Sequence, residues 1–194
     1  MPNRSGGIGT KAETGIVRVM RGYGFPGAER IRPKGRLDTG DLILGVPGWA
    51  IQAKGGAAAQ YSPLATVADY QDATFLQKIN AGARWTLLVM ARPGYAPARA
   101  GYWRAYMPRA QLLDLSLAAA GLTLNVPLIA PDWVELEFWQ AMTLMRDAGH
   151  GDPFPSTEAR AVVLQGWREG RGHARPPSGA DRRRRRVTVL AGQG

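Results

Sequence analysis

The run Trp85-Thr86-Leu87-Leu88-Val89-Met90-Ala91 constrains the fold more than any other stretch. It is apolar enough for a strand buried on both sides, and Arg92-Pro93-Gly94 turns the chain after it. A strand without a wet face needs cover on both sides, which helices provide in layered α/β domains.

The surrounding patterns supply such helices. Thr10-Lys11-Ala12-Glu13 reads as a capping box, followed by Ile16, Val17, Val19 and Met20 on one helical face. Gly22, Gly24 and Pro26 end that helix. Residues 41–46 (Asp-Leu-Ile-Leu-Gly-Val) and 49–54 (Trp-Ala-Ile-Gln-Ala-Lys) read as two strands joined by Pro47-Gly48. Residues 64–81 have a helical pattern, with Leu64, Val67, Ala68, Phe75, Leu76 and Ile79 on a broad apolar face. Residues 102–107 read as a further strand and 109–120 as a helix. The expected fold is α/β, a central mixed β-sheet flanked by helices. Asp132-Trp133-Val134-Glu135 reads as a second capping box opening a helix to about Ala148, and residues 156–168 as a last one. The expected organisation is a leader over 1–9, a core over 10–120, a helical extension over 121–170 and a basic, disordered tail over 171–194.

The chain has 194 residues, with 25 Lys and Arg against 15 Asp and Glu, a formal net charge of +10. This favours a polyanionic partner, nucleic acid before an anionic membrane surface. The bias is carried by Arg in an Ala- and Gly-rich chain, so genome composition also contributes. Without cysteine there is no disulfide and no thiolate zinc site. No apolar run approaches the length of a membrane span, and residues 1–10 lack the apolar segment of a secretory signal. A soluble, cytoplasmic protein is expected.

The chemistry concentrates between Glu29 and Lys54. Gln52 and Lys54 are two apart on one strand and share a face. Asp41 opens the preceding strand, and a hairpin brings it near both. Hydrolysis of a phosphodiester uses a hard cation such as Mg²⁺ or Mn²⁺ held by one or two carboxylates with waters left on it. Asp41 and position 52 supply such a site, Lys54 supplies a cation, and Glu29 can add a ligand. Arg30, Arg32, Lys34 and Arg36 lie beside these residues and suit a phosphate backbone. The run Arg182, Arg183, Arg184, Arg185, Arg186 can add non-specific, salt-dependent contacts.

These residues carry a resemblance. Ala28-Glu29-Arg30, then Asp38-Thr39-Gly40-Asp41-Leu42, then Gly45-Val46-Pro47-Gly48-Trp49-Ala50-Ile51-Gln52-Ala53-Lys54, with a later apolar strand ending in Arg92-Pro93-Gly94, resemble the Holliday-junction-resolvase-like nucleases of bacteriophages in the PD-(D/E)XK superfamily. The match spans roughly residues 16–107. It implies a restriction-endonuclease-like sheet, metal ligation by Asp41, a supporting acid in Glu29, a catalytic Lys54, and homodimers acting on branched DNA. One departure stands out: the acid expected two residues before the lysine is Gln52, which offers a carbonyl oxygen without negative charge. Asp38 is a candidate substitute. A lapsed site that binds DNA without cutting, and a component of a phage or nucleoprotein assembly, are the rival readings.

Other signals carry less. Gly22-Tyr23-Gly24-Phe25-Pro26-Gly27 spells Gly-x-Gly-x-x-Gly but follows a helix and contains a proline, so it reads as a helix stop. Ser5-Gly6-Gly7-Ile8-Gly9-Thr10-Lys11 lacks the order of a phosphate loop. His150 and His173 read as exposed loop residues. Glu135 and Glu137 read as a first-turn dipole effect. Trp133, Phe138, Trp139, Met142 and Met145 read as core or dimer contact.

Overall fold

The computed structural model describes residues 4–31, 38–123 and 132–154, together with 161, 165 and 166. Met1–Pro153 is one compact unit and Phe154–Gly194 a second. The first unit carries the sheet.

The protein is α/β: a mixed six-stranded sheet with flanking helices. Helix α1 (Arg4–Gly22) leads into β1 (Glu29–Arg30), β2 (Leu42–Ile43) and β3 (Trp49–Lys54). Helices α2 (Gly56–Gln60) and α3 (Leu64–Asn80) cross over to β4 (Trp85–Met90). A 3-10 helix (Pro97–Tyr102), β5 (Arg104–Pro108), α4 (Arg109–Ala119), β6 (Trp133–Glu137) and α5 (Phe138–Asp147) complete it. The sheet order is β1-β2-β3-β4-β5-β6, antiparallel except for the parallel β3–β4 pair. A parallel pair requires a crossover, and α2 and α3 provide it.

The β4 run is buried as its composition requires, with Leu87, Leu88, Val89 and Met90 fully enclosed. Its ladder to β5 pairs Leu88 with Tyr106, so the next rung would set Thr86 against Pro108, which has no N–H. Gln111 of α4 fills that rung. The Thr86 N–H donates to Gln111 Oε1 and Gln111 Nε2 donates to the Thr86 carbonyl, both at 2.8 Å.

Several elements differ from the sequence pattern. Helix α1 begins at Arg4, so Thr10 lies inside the helix and its carbonyl accepts from the Thr14 hydroxyl. The core face over Ala12, Ile16, Val17, Val19 and Met20 is as the spacing predicts. Residues 133–137 are a strand rather than a helix start: β6 pairs with β5 through Tyr106↔Glu135, and the Tyr106 hydroxyl donates to Glu135 at 2.5 Å. The capping box sits five residues later than its sequence signal, between Glu137 and Gln140. Residues 132–147 therefore add a strand and a helix to the same sheet, with Phe138, Met142 and Met145 fully buried.

Helix α3 buries only part of its hydrophobic pattern: Val67 is buried and Phe75 half-buried, but the rest of the face is not. Leu64, Leu76 and Ile79 are exposed, while Thr74, Gln77 and Lys78 are buried. α3 packs over β3 and β4, and the partner that draws Gln77 inward is Asp38 in the loop before β2. Gln77 Nε2 donates to Asp38 Oδ2 at 2.7 Å, and the Thr74 hydroxyl donates to the Tyr70 carbonyl of its own helix at 2.6 Å.

Strand β2 is shorter than the run 41–46. Gly45 bends the chain at φ +87°, and its backbone lies against Gly27, where a Cβ would stand 2.5 Å from the Gly27 carbonyl carbon.

Candidate active site

Asp41 stands at the entrance to β2. Its carbonyl accepts from the Ile31 N–H and its N–H donates to the Ile51 carbonyl, each at 2.8 Å, which ties it to the strands on both sides. The short β2 leaves the Ala53 amide without a strand partner, and the Asp41 side chain takes it. Asp41 Oδ2 accepts from the Ala53 N–H at 2.9 Å and from Gln52 Nε2 at 2.6 Å.

Gln52 is 4% exposed, and its remaining oxygen, Oε1, is buried with no hydrogen-bond partner. A buried carbonyl oxygen left this way costs about 1–3 kcal/mol. Lys54, two residues on, is half-buried, with Nζ 5.1 Å from the ring centre of Tyr70 on α3. The hairpin thus brings Asp41 against Gln52 and puts Lys54 within electrostatic reach of Asp41.

Burial pushes the Asp41 carboxyl above its ordinary value. The Ala53 N–H and the Lys54 charge pull it down, and the charges of Glu13 and Asp38 push it further up. Glu13, on α1, is the acid that residue patterns assigned to a capping box. Its neighbours Ala12 and Ile16 are buried, so it lies at the border of the helix's core face, which is the signal that marks it. Arg30 holds it, with Nε 2.5 Å from Glu13 Oε2.

The other sequence candidates fall elsewhere. Glu29 is exposed on β1 opposite Ile43 and is not among the charges acting on Asp41. Asp38 is committed to its own loop and to α3, accepting from the Gly40 N–H and from Gln77, while its carbonyl accepts from Asn80. Its charge nevertheless reaches Asp41. Arg32, Lys34, Arg36, Arg182, Arg183, Arg184, Arg185, Arg186 and His173 lie outside the described residues.

His150 is not an exposed loop residue. It is half-buried, its ring centre 4.2 Å from Trp85 and 5.5 Å from Trp49, at the end of β3 and β4 away from Lys54. Glu135 and Glu137 belong to β6, and Glu137 pairs with Arg92 at 2.9 Å.

Among the described residues no group of three or more Asp, Glu, His or Cys could hold a metal ion. A divalent cation at Asp41 would draw on one carboxylate, the orphaned Gln52 Oε1 and water. Magnesium sites of one or two carboxylates with several waters are of this kind, so the donor set fits a weakly held ion. Among the described residues no helix is long and apolar enough to cross a membrane. No family model matches the chain, and no curated protein or solved structure matches it.

Proposed function

We propose that the protein is a metal-dependent DNA endonuclease with a restriction-endonuclease-like sheet, acting on branched DNA. One observation carries the reading: Asp41 meets Gln52 at the end of β3 that bears Lys54, and a buried oxygen of Gln52 is left without a partner.

Asp41 and Gln52 would be the residues to hold Mg²⁺ or Mn²⁺, which would supply Lewis acidity and lower the pKa of a bound water. The chain's own groups do the rest. Lys54 sets a positive charge beside the scissile phosphate and offsets the charge that develops there. Tyr70 fixes the Lys54 ammonium against its ring. Glu13, paired with Arg30, and Asp38 are the further acids whose charges reach Asp41. Arg30, Arg32, Lys34 and Arg36 follow the phosphate backbone, and the run Arg182–Arg186 adds salt-sensitive contacts. A two-fold dimer matches the two symmetric strands of a four-way junction.

A second reading is a nuclease fold retired to DNA binding. The Gln52 amide favours it: its Nε2 occupies Asp41 Oδ2 at 2.6 Å, satisfying the carboxylate without a metal.

Labelled four-way junction and matched linear duplex, incubated with the protein and Mg²⁺ or Mn²⁺, separate the two. Cutting that needs metal and disappears in Asp41→Ala supports the enzyme, and preference for the junction supports its substrate. Binding without cutting, with activity appearing only in Gln52→Glu, supports the second reading. Neither binding nor cutting sinks both.

A further inference from the structure

The end of the sheet that carries Lys54 continues into a cluster of arginine and tyrosine. The Ala91 N–H donates to the Lys54 carbonyl at 2.8 Å, so the chain leaves β4 beside Lys54. The next twelve positions carry Arg92, Tyr95, Arg99 and Tyr102. The Arg99 guanidinium carbon lies 5.0 Å from the Tyr95 ring centre and 5.1 Å from that of Tyr102. The two rings are 5.2 Å apart, and Arg92 stands 5.5 Å from Tyr95.

This segment is built in. Trp103 is fully buried, and its indole N–H donates to the Tyr95 carbonyl at 2.8 Å. Helix α1, which carries Glu13, packs so closely against the 3-10 helix that a Cβ on Gly15 would collide with the Pro97 carbonyl oxygen. Arg92 is fixed by Glu137.

Arg99 has a different position. It is exposed, and among the described residues it pairs with no carboxylate. In a chain of net charge +10 an unneutralised cation adds to self-repulsion, which its packing on the two rings offsets within the fold. A guanidinium over aromatic rings is held in place while its N–H donors stay available to phosphate. Arginine and tyrosine planes are also the surfaces on which unpaired bases stack. An acidic peptide would use the charge and leave the exposed guanidinium plane idle, Tyr102 itself being buried. A duplex keeps its bases stacked inward.

We propose that Arg99, carried on Tyr95 and Tyr102, binds an unpaired DNA strand beside the Lys54 end of the sheet. The inference rests on reading the protein as one that acts on DNA, and it concerns binding rather than cutting.

The test is fluorescence anisotropy of a labelled thymidine oligomer of about 20 nucleotides, longer than typical single-strand sites. The full chain is used in chelator, so that nothing is cut, beside Arg99→Ala and Arg109→Ala. Arg109 is exposed at the opposite end of the sheet and controls for the loss of one charge. Arg99→Ala is expected to weaken binding roughly fivefold or more, the effect of removing one stacking contact, with Arg109→Ala nearly silent. Wild-type affinity in Arg99→Ala, equal losses in the two variants, or no binding by the natural protein would each overturn the inference. Junction cutting by the same preparations reports separately. A protein that cuts but ignores Arg99 loses only this inference. One that binds the oligomer through Arg99 and never cuts loses only the nuclease reading.

Discussion

Gln52 donates its side-chain amide to Asp41 Oδ2 at 2.6 Å, a neutral group set against a carboxylate that burial has already made reluctant to ionise. Gln52→Glu turns that hydrogen bond into a confrontation of two carboxylates. Without divalent metal the variant is expected to lose roughly 1–3 kcal/mol of stability, the range for a poorly satisfied buried group. Millimolar Mn²⁺ should restore it and raise the variant's Tm more than the natural protein's, since a ligand stabilises the state that binds it. Calorimetry with and without Mn²⁺ decides, and equal shifts would remove position 52 from the metal site.

Asp41 itself should cost stability at neutral pH. Its folded pKa is raised above the ordinary 3.8, burial being the largest cause. As pH rises through 3.8 the unfolded chain gives up its proton first, so stability falls until pH passes the folded value. Asp41→Asn removes that loss and keeps an acceptor for Gln52 and Ala53. Its Tm should exceed the natural protein's at neutral pH, with the gap closing below the ordinary carboxylate range, while metal-dependent activity is lost. A Tm below that of the natural protein at every pH would refute the argument.

His150 has the opposite dependence. Burial first, then the charge of Arg84, lowers its pKa below the ordinary 6.5, and Asp114 opposes them. As pH falls through 6.5 the unfolded chain takes up the proton first, so this contribution is intact above 6.5 and lost toward the folded value. His150→Phe keeps an aromatic edge against Trp85 and should flatten that limb of a denaturation series run across the histidine range.

Gln111 completes the β4–β5 ladder from a helix. Gln111→Leu preserves bulk but strands the N–H and C=O of Thr86, a residue with no exposed surface. A loss of roughly 2–4 kcal/mol is expected from two unsatisfied buried groups. Urea unfolding measures it, and a change under 1 kcal/mol, the net worth of a single typical hydrogen bond, would show that water replaces the side chain.

How far each element can be read from the sequence depends on which interactions decide it. β4, β3 and the core face of α1 are set by continuous or periodic apolar residues, and the pattern names them. The Pro47-Gly48 turn fixes the hairpin, so the meeting of Asp41 with Gln52 is also readable. Glu13 was hidden because a Thr-x-x-Glu string reads as a helix start, while α1 continues back to Arg4. β6 was hidden for a related reason: Asp132-x-x-Glu135 imitates a cap, yet the pairing of 133–137 with β5 overrides it. Helix α3 misled most, since Leu64, Leu76 and Ile79 of its apolar stripe point outward while Val67 turns in. Gln77 turns in to bond Asp38, thirty-nine residues earlier, a tertiary fact that the stripe does not carry.

The aromatic stack at the far end of β3 and β4 is an optical instrument. Trp49 and Trp85 lie 5.5 Å apart and 23° from parallel, close enough for their indole transitions to couple and give a paired signal in circular dichroism. His150 touches both rings, and a protonated imidazole quenches indole emission. The coupled circular-dichroism signal of this pair, rather than the summed emission of the six tryptophans, therefore reports on the β3–β4 end without any added label. The Lys54 end, where DNA is proposed to bind, lies at the other end of the same strands, so a change in the signal on adding DNA would mean that the sheet itself had responded.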